Sequence, residues 1–176
     1  MEITLTVPYL EGPVSDPDLV VRYLASDEGE PLMHDPVLPL ISPALLPAGQ
    51  PLAALDALRA LPLLRTPAEP WLPWFRAQGL DWPEPDRGPR LVDLGMVLEA
   101  AACGQGVALA RPSIARAWLR SGRLQPLLGG VGTPVSQSAF AYRLERGSDD
   151  PAVLLVAAWL CRSAAAAVAE GAALIA

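Results

Sequence analysis

The stretch from Arg90 to Arg111 limits the possible folds more than any other part of the chain. Arg90 to Val92 is predicted as a strand, and Asp93 stands where a helix N-cap is expected. An apolar stripe with helical spacing follows, formed by Leu94, Val97, Leu98, Ala101 and Ala102. Gly104 is a suitable helix end, and Val107 to Ala110 is predicted as the next buried strand. A helix between two strands over so short a stretch indicates an α/β protein.

The rest of the chain repeats this alternation of strands and helices. Further strands are predicted at Glu2–Val7, Asp18–Tyr23, Pro36–Ser42, Leu61–Leu64 and Ala139–Leu144. Further helices are predicted at Pro51–Arg59, Pro70–Gln78, from Pro112 to Gly122, and from Pro151 to about Val168. We therefore expect a mainly parallel α/β architecture of two lobes, joined by crossing strands. Residues 1–43 with 145–176 form the first predicted lobe, and residues 44–144 form the second.

Charge and hydropathy exclude several classes of protein. The net charge of −6 disfavours binding to a phosphate backbone. Residues 1–10 lack the basic start and apolar run of a secretion signal, so a cytoplasmic location is expected. The apolar run Ala152–Cys161 is shorter than the roughly 20 residues of a membrane span, and predicts a buried helix without membrane contact.

Residues that could support catalysis or metal binding have simpler explanations. His34 is the only histidine and lacks the partners of a catalytic site, so it is predicted to be an ordinary surface residue. Cys103 and Cys161 form no metal-binding pair and are expected to be small buried side chains. The glycines of Gly104-Gln105-Gly106 follow a helix, whereas a phosphate-binding loop precedes one. We therefore expect no catalytic residue, no metal and no cofactor.

Three polar residues follow predicted strands, where parallel sheets commonly bind ligands. Thr66 and Arg65 follow the strand Leu61–Leu64, and Asp93 follows Arg90–Val92. Asp93 is predicted first as a helix cap, a role that leaves oxygen lone pairs for a ligand. The group Trp71, Trp74 and Phe75 has helical spacing and is expected in the core.

Several stretches, in order, resemble one family, the LysR-type transcriptional regulators. They are Asp18-Leu-Val-Val-Arg-Tyr23, Leu38-Pro-Leu-Ile-Ser-Pro-Ala-Leu-Leu46, Leu61-Pro-Leu-Leu-Arg65 with Trp71-x-x-Trp-Phe75, Gly88-Pro-Arg-Leu-Val-Asp93 with Leu98-Glu-Ala-Ala-Ala-Cys-Gly-Gln-Gly-Val-Ala-Leu109, Ser121-Gly-Arg-Leu-Gln-Pro126, Ala141-Tyr-Arg-Leu144 and Val156-Ala-Ala-Trp-Leu160. The glycine-cleavage-activator-like subgroup is the most similar. The resemblance covers nearly the whole chain and implies the ligand-sensing, effector-binding domain, with a type 2 periplasmic-binding-protein fold.

The resemblance implies a small effector between the two lobes. We predict that it lies near Ser42, Arg65, Thr66 and Asp93, where a guanidinium and a carboxylate would suit an amino-acid-like zwitterion. It also implies a homo-oligomer in the full-length regulator, with a partner on the second lobe at Leu94, Val97, Leu98, Ala101 and Val107. The family's helix-turn-helix, and the first strand and helix of its sensing domain, have no counterpart here. DNA contact by this chain itself is therefore not expected.

Two other functions compete with a regulatory domain. A free-standing solute-binding protein of the same fold would need a secretion signal, which the sequence does not show. A small enzyme would need a cluster of titratable groups in a pocket, and the sequence pattern predicts none. An in-frame helix-turn-helix encoded upstream would distinguish the regulator from the solute-binding protein.

Overall fold

The structure is a computed structural model that describes residues 16–25, 31–46 and 50–176. The predicted strand Glu2–Val7 lies outside these described residues. Strand β1, Leu19–Ala25, pairs antiparallel with strand β5, Phe140–Arg146. Tyr23 lies opposite Tyr142, with their ring centroids 4.7 Å apart. Both predicted strands are therefore confirmed, and they form a two-stranded sheet.

A second sheet holds the centre of the molecule. Its strands are β2, Leu38–Ile41, β3, Ala108–Ala110, and β4, Gln125–Pro126, in the order β3-β2-β4. β2 is antiparallel to both neighbours. Parallel pairing occurs beside β3, where Leu63 bridges Val107 and Arg65 bridges Arg90. The expectation of a mainly parallel sheet is thus wrong for the named strands, because an apolar run predicts a buried strand but not its direction.

Four α-helices pack on these sheets in the described part of the chain. They are α1, Trp71–Ala77, α2, Leu94–Ala102, α3, Pro112–Arg120, and α4, Pro151–Ala173. The helix predicted at Pro51–Arg59 is a short 3-10 helix at Leu55–Ala60, and a second 3-10 helix covers Pro43–Leu45. The strands predicted at Leu61–Leu64 and Arg90–Val92 are reduced to the single bridges at Leu63, Arg65 and Arg90.

Side chains outside the helix stabilise the first turns of α2 and α1. The Asp93 carboxylate accepts a hydrogen bond from the Met96 amide at 2.8 Å, as predicted for an N-cap. The Glu84 carboxylate accepts bonds from the first amides of α1, at 3.2 Å from Trp71 and 2.6 Å from Leu72. Glu84 thereby attaches the proline-rich loop at 82–89 to α1 and places an anion at the helix N-terminus.

The core has two adjoining parts. One joins α2 and β3 to α3, and its buried members include Leu98, Ala101 and Ala115. The other contains the aromatic side chains of α1, with Trp71, Trp74 and Phe75 almost fully buried. The Trp71 indole donates to the Leu64 carbonyl at 2.8 Å, which satisfies its buried N–H. The prediction that these aromatic residues belong to the core is confirmed.

The last helix packs at one end and is exposed at the other. Gly171 lies against the start of α3, and Glu170 forms ion pairs with Arg116 and Arg120 of that helix. Near the other end, Leu155 is 71% exposed and Trp159 is 58% exposed. The expectation of a buried helix at Ala152–Cys161 is therefore wrong for the described structure.

By length and composition alone, α4 is long and apolar enough to cross a membrane. This is weak evidence for a span, because core helices of soluble proteins meet the same criterion.

Cys103 and Cys161 are exposed, which corrects their predicted burial. His34 is exposed, as expected of a surface residue.

Candidate functional site

Three strand segments end at the same edge of the central sheet. Leu64 donates to the Val107 carbonyl at 2.9 Å, and Leu91 donates to the Arg65 carbonyl at 2.9 Å. Because these pairings are parallel, the residues that follow the segments lie along one edge. Thr66, Asp93 and Arg111 occupy those positions, and we call this border the carboxyl edge. The carboxyl ends of parallel strands are a common place for ligands.

Ser42 does not lie at the carboxyl edge. β2 runs antiparallel to β3, with Leu38 opposite Ala110 and Leu40 opposite Ala108. The end of β2 therefore lies beside the beginning of β3, at the opposite border of the sheet. There the Ser42 hydroxyl accepts a hydrogen bond from the Ala44 amide at 3.4 Å and caps the 3-10 helix.

The other three predicted site residues already have local partners. The Arg65 guanidinium donates to the Gly88 carbonyl, from Nε at 3.2 Å and from Nη2 at 2.9 Å. The Thr66 hydroxyl accepts from the Ala68 amide at 3.3 Å, in a tight turn. The two residues thus order the backbone around the carboxyl edge, and Asp93 does the same as the cap of α2.

A buried ion pair, which sequence analysis missed, lies at this edge. Arg111 is 2% exposed and Glu69 is 3% exposed. The Arg111 Nε and Nη2 atoms each lie 3.0 Å from Glu69 Oε1. The Ser138 hydroxyl lies 2.8 Å from both Glu69 oxygens. Buried charges are tolerated when they are paired and hydrogen-bonded in this way.

The same pair connects the central sheet to the β1–β5 sheet. The Tyr23 hydroxyl donates to Glu69 Oε1 and lies 3.0 Å from Arg111 Nη2. Arg111 Nη2 also donates to the Phe140 carbonyl, at the first residue of β5. The guanidinium lies 5.2 Å from the Tyr23 ring and 5.7 Å from the Tyr142 ring, within range of cation–π attraction. We call these five groups, from Tyr23, Glu69, Arg111, Ser138 and Phe140, the latch.

Burial and the charges of the latch shift the pKa values of two of its members, Tyr23 and Arg111. Burial raises the pKa of Tyr23, and the Glu69 carboxylate raises it further, so the phenol stays protonated. Burial lowers the pKa of Arg111, but the charge and hydrogen bond of Glu69, together with the charge of Asp35, outweigh burial and raise it overall. The latch therefore holds a neutral phenol beside a fixed ion pair.

Asp35 lies next to the latch, where it meets the N-terminus of α3. Its Oδ2 accepts a hydrogen bond from the Ser113 amide at 2.9 Å. Asp35 Oδ1, Arg111 Nη1 and Ser113 Oγ are buried and have no hydrogen-bond partner among the described residues. Natural proteins leave few buried polar atoms in this state, so three of them together mark an unusual place.

Two small cavities open beside Glu69. One reaches Arg111 and is lined by apolar side chains of α2, β3 and α3, namely Leu94, Val97, Leu98, Leu109, Ala110 and Ile114. The other lies toward Trp74 and Ser138. Each has room for about one water molecule. A larger ligand does not fit into either cavity as the structure stands.

A signal for Arg111 was present in the sequence. It follows the buried strand Val107–Ala110, just as Asp93 follows its own predicted strand. Glu69 gave no such signal, since it lies in the loop between Thr66 and α1. Only the three-dimensional arrangement brings Glu69 to within 3.0 Å of Arg111.

The residues predicted for a dimer interface are mostly internal. Val97, Leu98, Ala101 and Val107 are almost completely buried in the chain's own core. Their side chains therefore present no surface to a partner, and Leu94 is only partly exposed.

Within the described ranges, no group of three or more His, Cys, Asp and Glu side chains is arranged to hold a metal ion.

Comparison with known proteins gives the same family from sequence and from structure. The family model described as the LysR substrate binding domain matches residues 9–165. The glycine cleavage system transcriptional activator of Escherichia coli K12 is 36% identical over 96 residues, which cover 54% of this chain and 32% of that protein. The match thus spans about a third of the length of this curated relative.

Solved effector-binding domains have a similar fold. The AmpR effector binding domain of Citrobacter freundii superposes with a TM-score of 0.67 at 25% identity, covering 92% of this chain and 80% of that one. The effector domain of AmpR of Pseudomonas aeruginosa gives a TM-score of 0.60 at 28% identity, over 86% and 74% of the two chains. Full-length AphB of Vibrio cholerae, at 17% identity, gives a TM-score of 0.58 over 82% and 51% of the chains and shares the fold alone.

Proposed function

This chain belongs to the family of LysR substrate-binding domains, and from that premise we propose that it senses a small molecule at the carboxyl edge on behalf of a LysR-type transcriptional regulator. The single observation that carries the proposal is the latch. Its ion pair lies on the central sheet, and it bonds across to Tyr23 and to the Phe140 carbonyl of the β1–β5 sheet. A molecule that binds there changes how the two sheets are held together.

The physical reason is the balance of charges at the latch. Removing Arg111 and Glu69 from water is costly, and their pairing and hydrogen bonds offset that cost. Moving the β1–β5 sheet away breaks the bonds from Tyr23 and to Phe140, while the Glu69–Arg111 pair stays on the central sheet. A polar ligand can replace the lost partners in the opened arrangement. Ligand binding and sheet separation are then coupled, as in any two-state sensor.

Two matched hydroxyl variants test the location of the ligand. Thr66 and Ser42 are both 5% exposed, and each caps a backbone amide, at 3.3 Å and 3.4 Å. Only Thr66 lies at the carboxyl edge. A thermal-shift screen of metabolites on the purified chain identifies a ligand, and calorimetry then measures its affinity for each variant.

We expect Thr66→Val to weaken binding at least about tenfold, which corresponds to a loss of about 1.4 kcal/mol in binding free energy. Ser42→Ala should leave the affinity within about twofold, although it removes a similar cap. An equal loss in both variants, or a loss in Ser42→Ala alone, would place the ligand elsewhere.

The regulatory half of the proposal has a separate test. An in-frame sequence encoding a helix-turn-helix directly upstream supports a regulator, and DNA binding then belongs to that segment. A secretion signal at that position would instead favour a solute-binding protein of the same fold.

A further inference from the structure

The exposed side of α4 is apolar along most of the helix. Its large exposed side chains are Leu154, Leu155 and Trp159, and the exposed positions from 165 to 173 are all alanine. Only 17% of its most apolar 18-residue window is buried, whereas the core helix of a soluble protein is mostly buried. A contiguous apolar surface of this kind commonly marks a place where another molecule binds.

One charge lies within this face. α4 contains two charged residues, Arg162 and Glu170, and Glu170 forms ion pairs with Arg116 and Arg120 of α3. Arg162 is exposed and belongs to none of the ion pairs of the described residues. It follows Leu155 by two helical turns, so the two side chains lie on the same side of the helix. An occupant of this face must therefore offer apolar side chains and an anion.

The chain has suitable carboxylates at the beginning of α4. Asp150 is the N-cap of the helix, and Asp149, directly before it, has a side chain that is 93% exposed. The partner of Asp149 is Arg146, 3.6 Å away and itself 49% exposed, so this ion pair contributes little. Asp150 and Arg162 are about 18 Å apart along the helix, at about 1.5 Å per residue. The apolar segment between them thus has acid at one end and base at the other.

We propose that the exposed face of α4 binds the same face of a second copy of this chain, with the two helices antiparallel. A two-fold axis near Leu155 then places Arg162 of each copy beside Asp149 and Asp150 of the other. Parallel helices would instead bring like charges together, which opposes association. Large and small side chains meet between the charges, because the apolar part of the interface consists of Leu154, Leu155, Ala158 and Trp159 of both copies. This contact is independent of the proposed ligand sensing.

A lipid surface would cover the apolar side chains but would match the charges less well. The two aspartates next to α4 and the net charge of −6 oppose binding to an anionic membrane. A second copy supplies both an apolar surface and the carboxylates that Arg162 lacks. The two-fold arrangement also forms each ion pair twice.

Two charge reversals in the full chain test the antiparallel arrangement by analytical ultracentrifugation. Arg162→Asp puts acids together at both ends of its own dimer, and Asp149→Arg puts arginines together there. We expect each variant to associate at least about fivefold more weakly than the unchanged chain, a loss of about 1 kcal/mol. A mixture of the two variants should regain association, because the mixed dimer has opposite charges at both ends. Non-specific apolar aggregation predicts no such recovery.

A matched arginine provides the control for charge reversal. Arg87 is exposed in the proline-rich loop at 82–89, outside the face of α4. Arg87→Asp changes the net charge by the same amount as Arg162→Asp. It should leave the dissociation constant of the dimer within about twofold, since it changes only the long-range charge, which salt screens.

The two exposed cysteines give a local readout of the same contact. Cys161 precedes Arg162 at the proposed interface, whereas Cys103 is the C-cap of α2. Alkylation of Cys161 should slow as rising concentration converts the chain to dimers, and alkylation of Cys103 should keep a constant rate. In Arg162→Asp the protection of Cys161 should appear only at higher concentration.

Three results would overturn the proposal. In the first, the unchanged chain stays monomeric at millimolar concentration, and sedimentation with neutral phosphatidylcholine vesicles would then identify a lipid as the occupant. In the second, the chain associates but the mixed variants do not recover, so the helices do not pair antiparallel through these charges. In the third, Cys161 is protected equally at every concentration, so a segment of the same polypeptide covers the face.

Discussion

At the scale of single residues, Arg111 and Glu69 matter most because both charges are buried. Removing one partner leaves the other charge in a medium of low dielectric constant. We expect Arg111→Met and Glu69→Gln each to lower the free energy of unfolding by roughly 3–5 kcal/mol. The double variant should be far less destabilised than the sum of the two, because it buries no unpaired charge. Urea unfolding of the four proteins measures this coupling.

An exposed ion pair provides the control for that cycle. Arg22 and Glu145 lie 2.8 Å apart, and their side chains are 52% and 48% exposed. Arg22→Met should cost less than about 1 kcal/mol. If the Arg111 and Glu69 effects are simply additive, the two residues do not act as a pair.

The raised pKa of Tyr23 predicts that the folded chain loses stability at alkaline pH. Burial and the Glu69 carboxylate favour the neutral phenol in the folded chain, whereas the unfolded chain ionises near the ordinary value of about 10. The stabilising contribution is therefore complete below about pH 10 and is lost as the pH rises above it. Urea unfolding at about pH 8 and about pH 10.5 should show a smaller alkaline loss in Tyr23→Phe than in the unchanged chain. Tyr142, whose pKa burial also raises, accounts for part of the remaining loss. Equal losses in the two proteins would argue against the contact between the phenol and Glu69.

At the scale of elements, the crossing of α3 and α4 depends on a glycine. A Cβ atom at Gly171 would lie 2.5 Å from the Ser113 nitrogen and 2.7 Å from the Pro112 carbonyl carbon. In an ordinary helix, alanine stabilises the helix by about 1 kcal/mol relative to glycine. Here we expect Gly171→Ala to destabilise the chain by roughly 1–3 kcal/mol, because the two backbones must separate.

A second substitution in α4 calibrates the effect of glycine. Ala165 is exposed in the same helix, so Ala165→Gly should show only the ordinary helix propensity. Thermal unfolding of both variants makes the comparison. A Gly171→Ala chain that is more stable than the original would show that the helices do not cross as closely as described.

At the scale of the whole molecule, we expect the exposed apolar face of α4 to govern self-association. Leu155 and Trp159 are one helical turn apart, and Leu154 beside them is 39% exposed. Such a contiguous apolar face favours association of the isolated chain. We expect the double variant Leu155→Gln with Trp159→Gln to associate less as the concentration rises. Light scattering over a concentration series measures this.

An isolated apolar residue is the control for that experiment. Val131 is 90% exposed but lies in the loop between β4 and β5, outside the α4 face, so Val131→Gln should leave association unchanged. A monodisperse dimer that is independent of concentration and insensitive to the α4 variant would show that this face does not drive association.

The sequence by itself determined the family and the regular elements around the carboxyl edge. The stripe of α2, its cap Asp93 and the aromatic face of α1 follow from interactions within one or two helical turns, which the order of residues specifies directly. The positions after the buried segments were also predictable, and two predicted residues, Thr66 and Asp93, do lie along that edge.

Only the tertiary structure decided which side chains meet. The antiparallel direction of β2 separates Ser42 from the carboxyl edge and brings Asp35 to the start of α3. The Glu69–Arg111 bond joins positions 42 residues apart, and the bond from Arg111 to Tyr23 joins positions 88 apart. Periodicity contains no information about such pairs, because an apolar run is compatible with either strand direction. The cost of burying a charge, which selects its partner, arises only once the chain has closed around it.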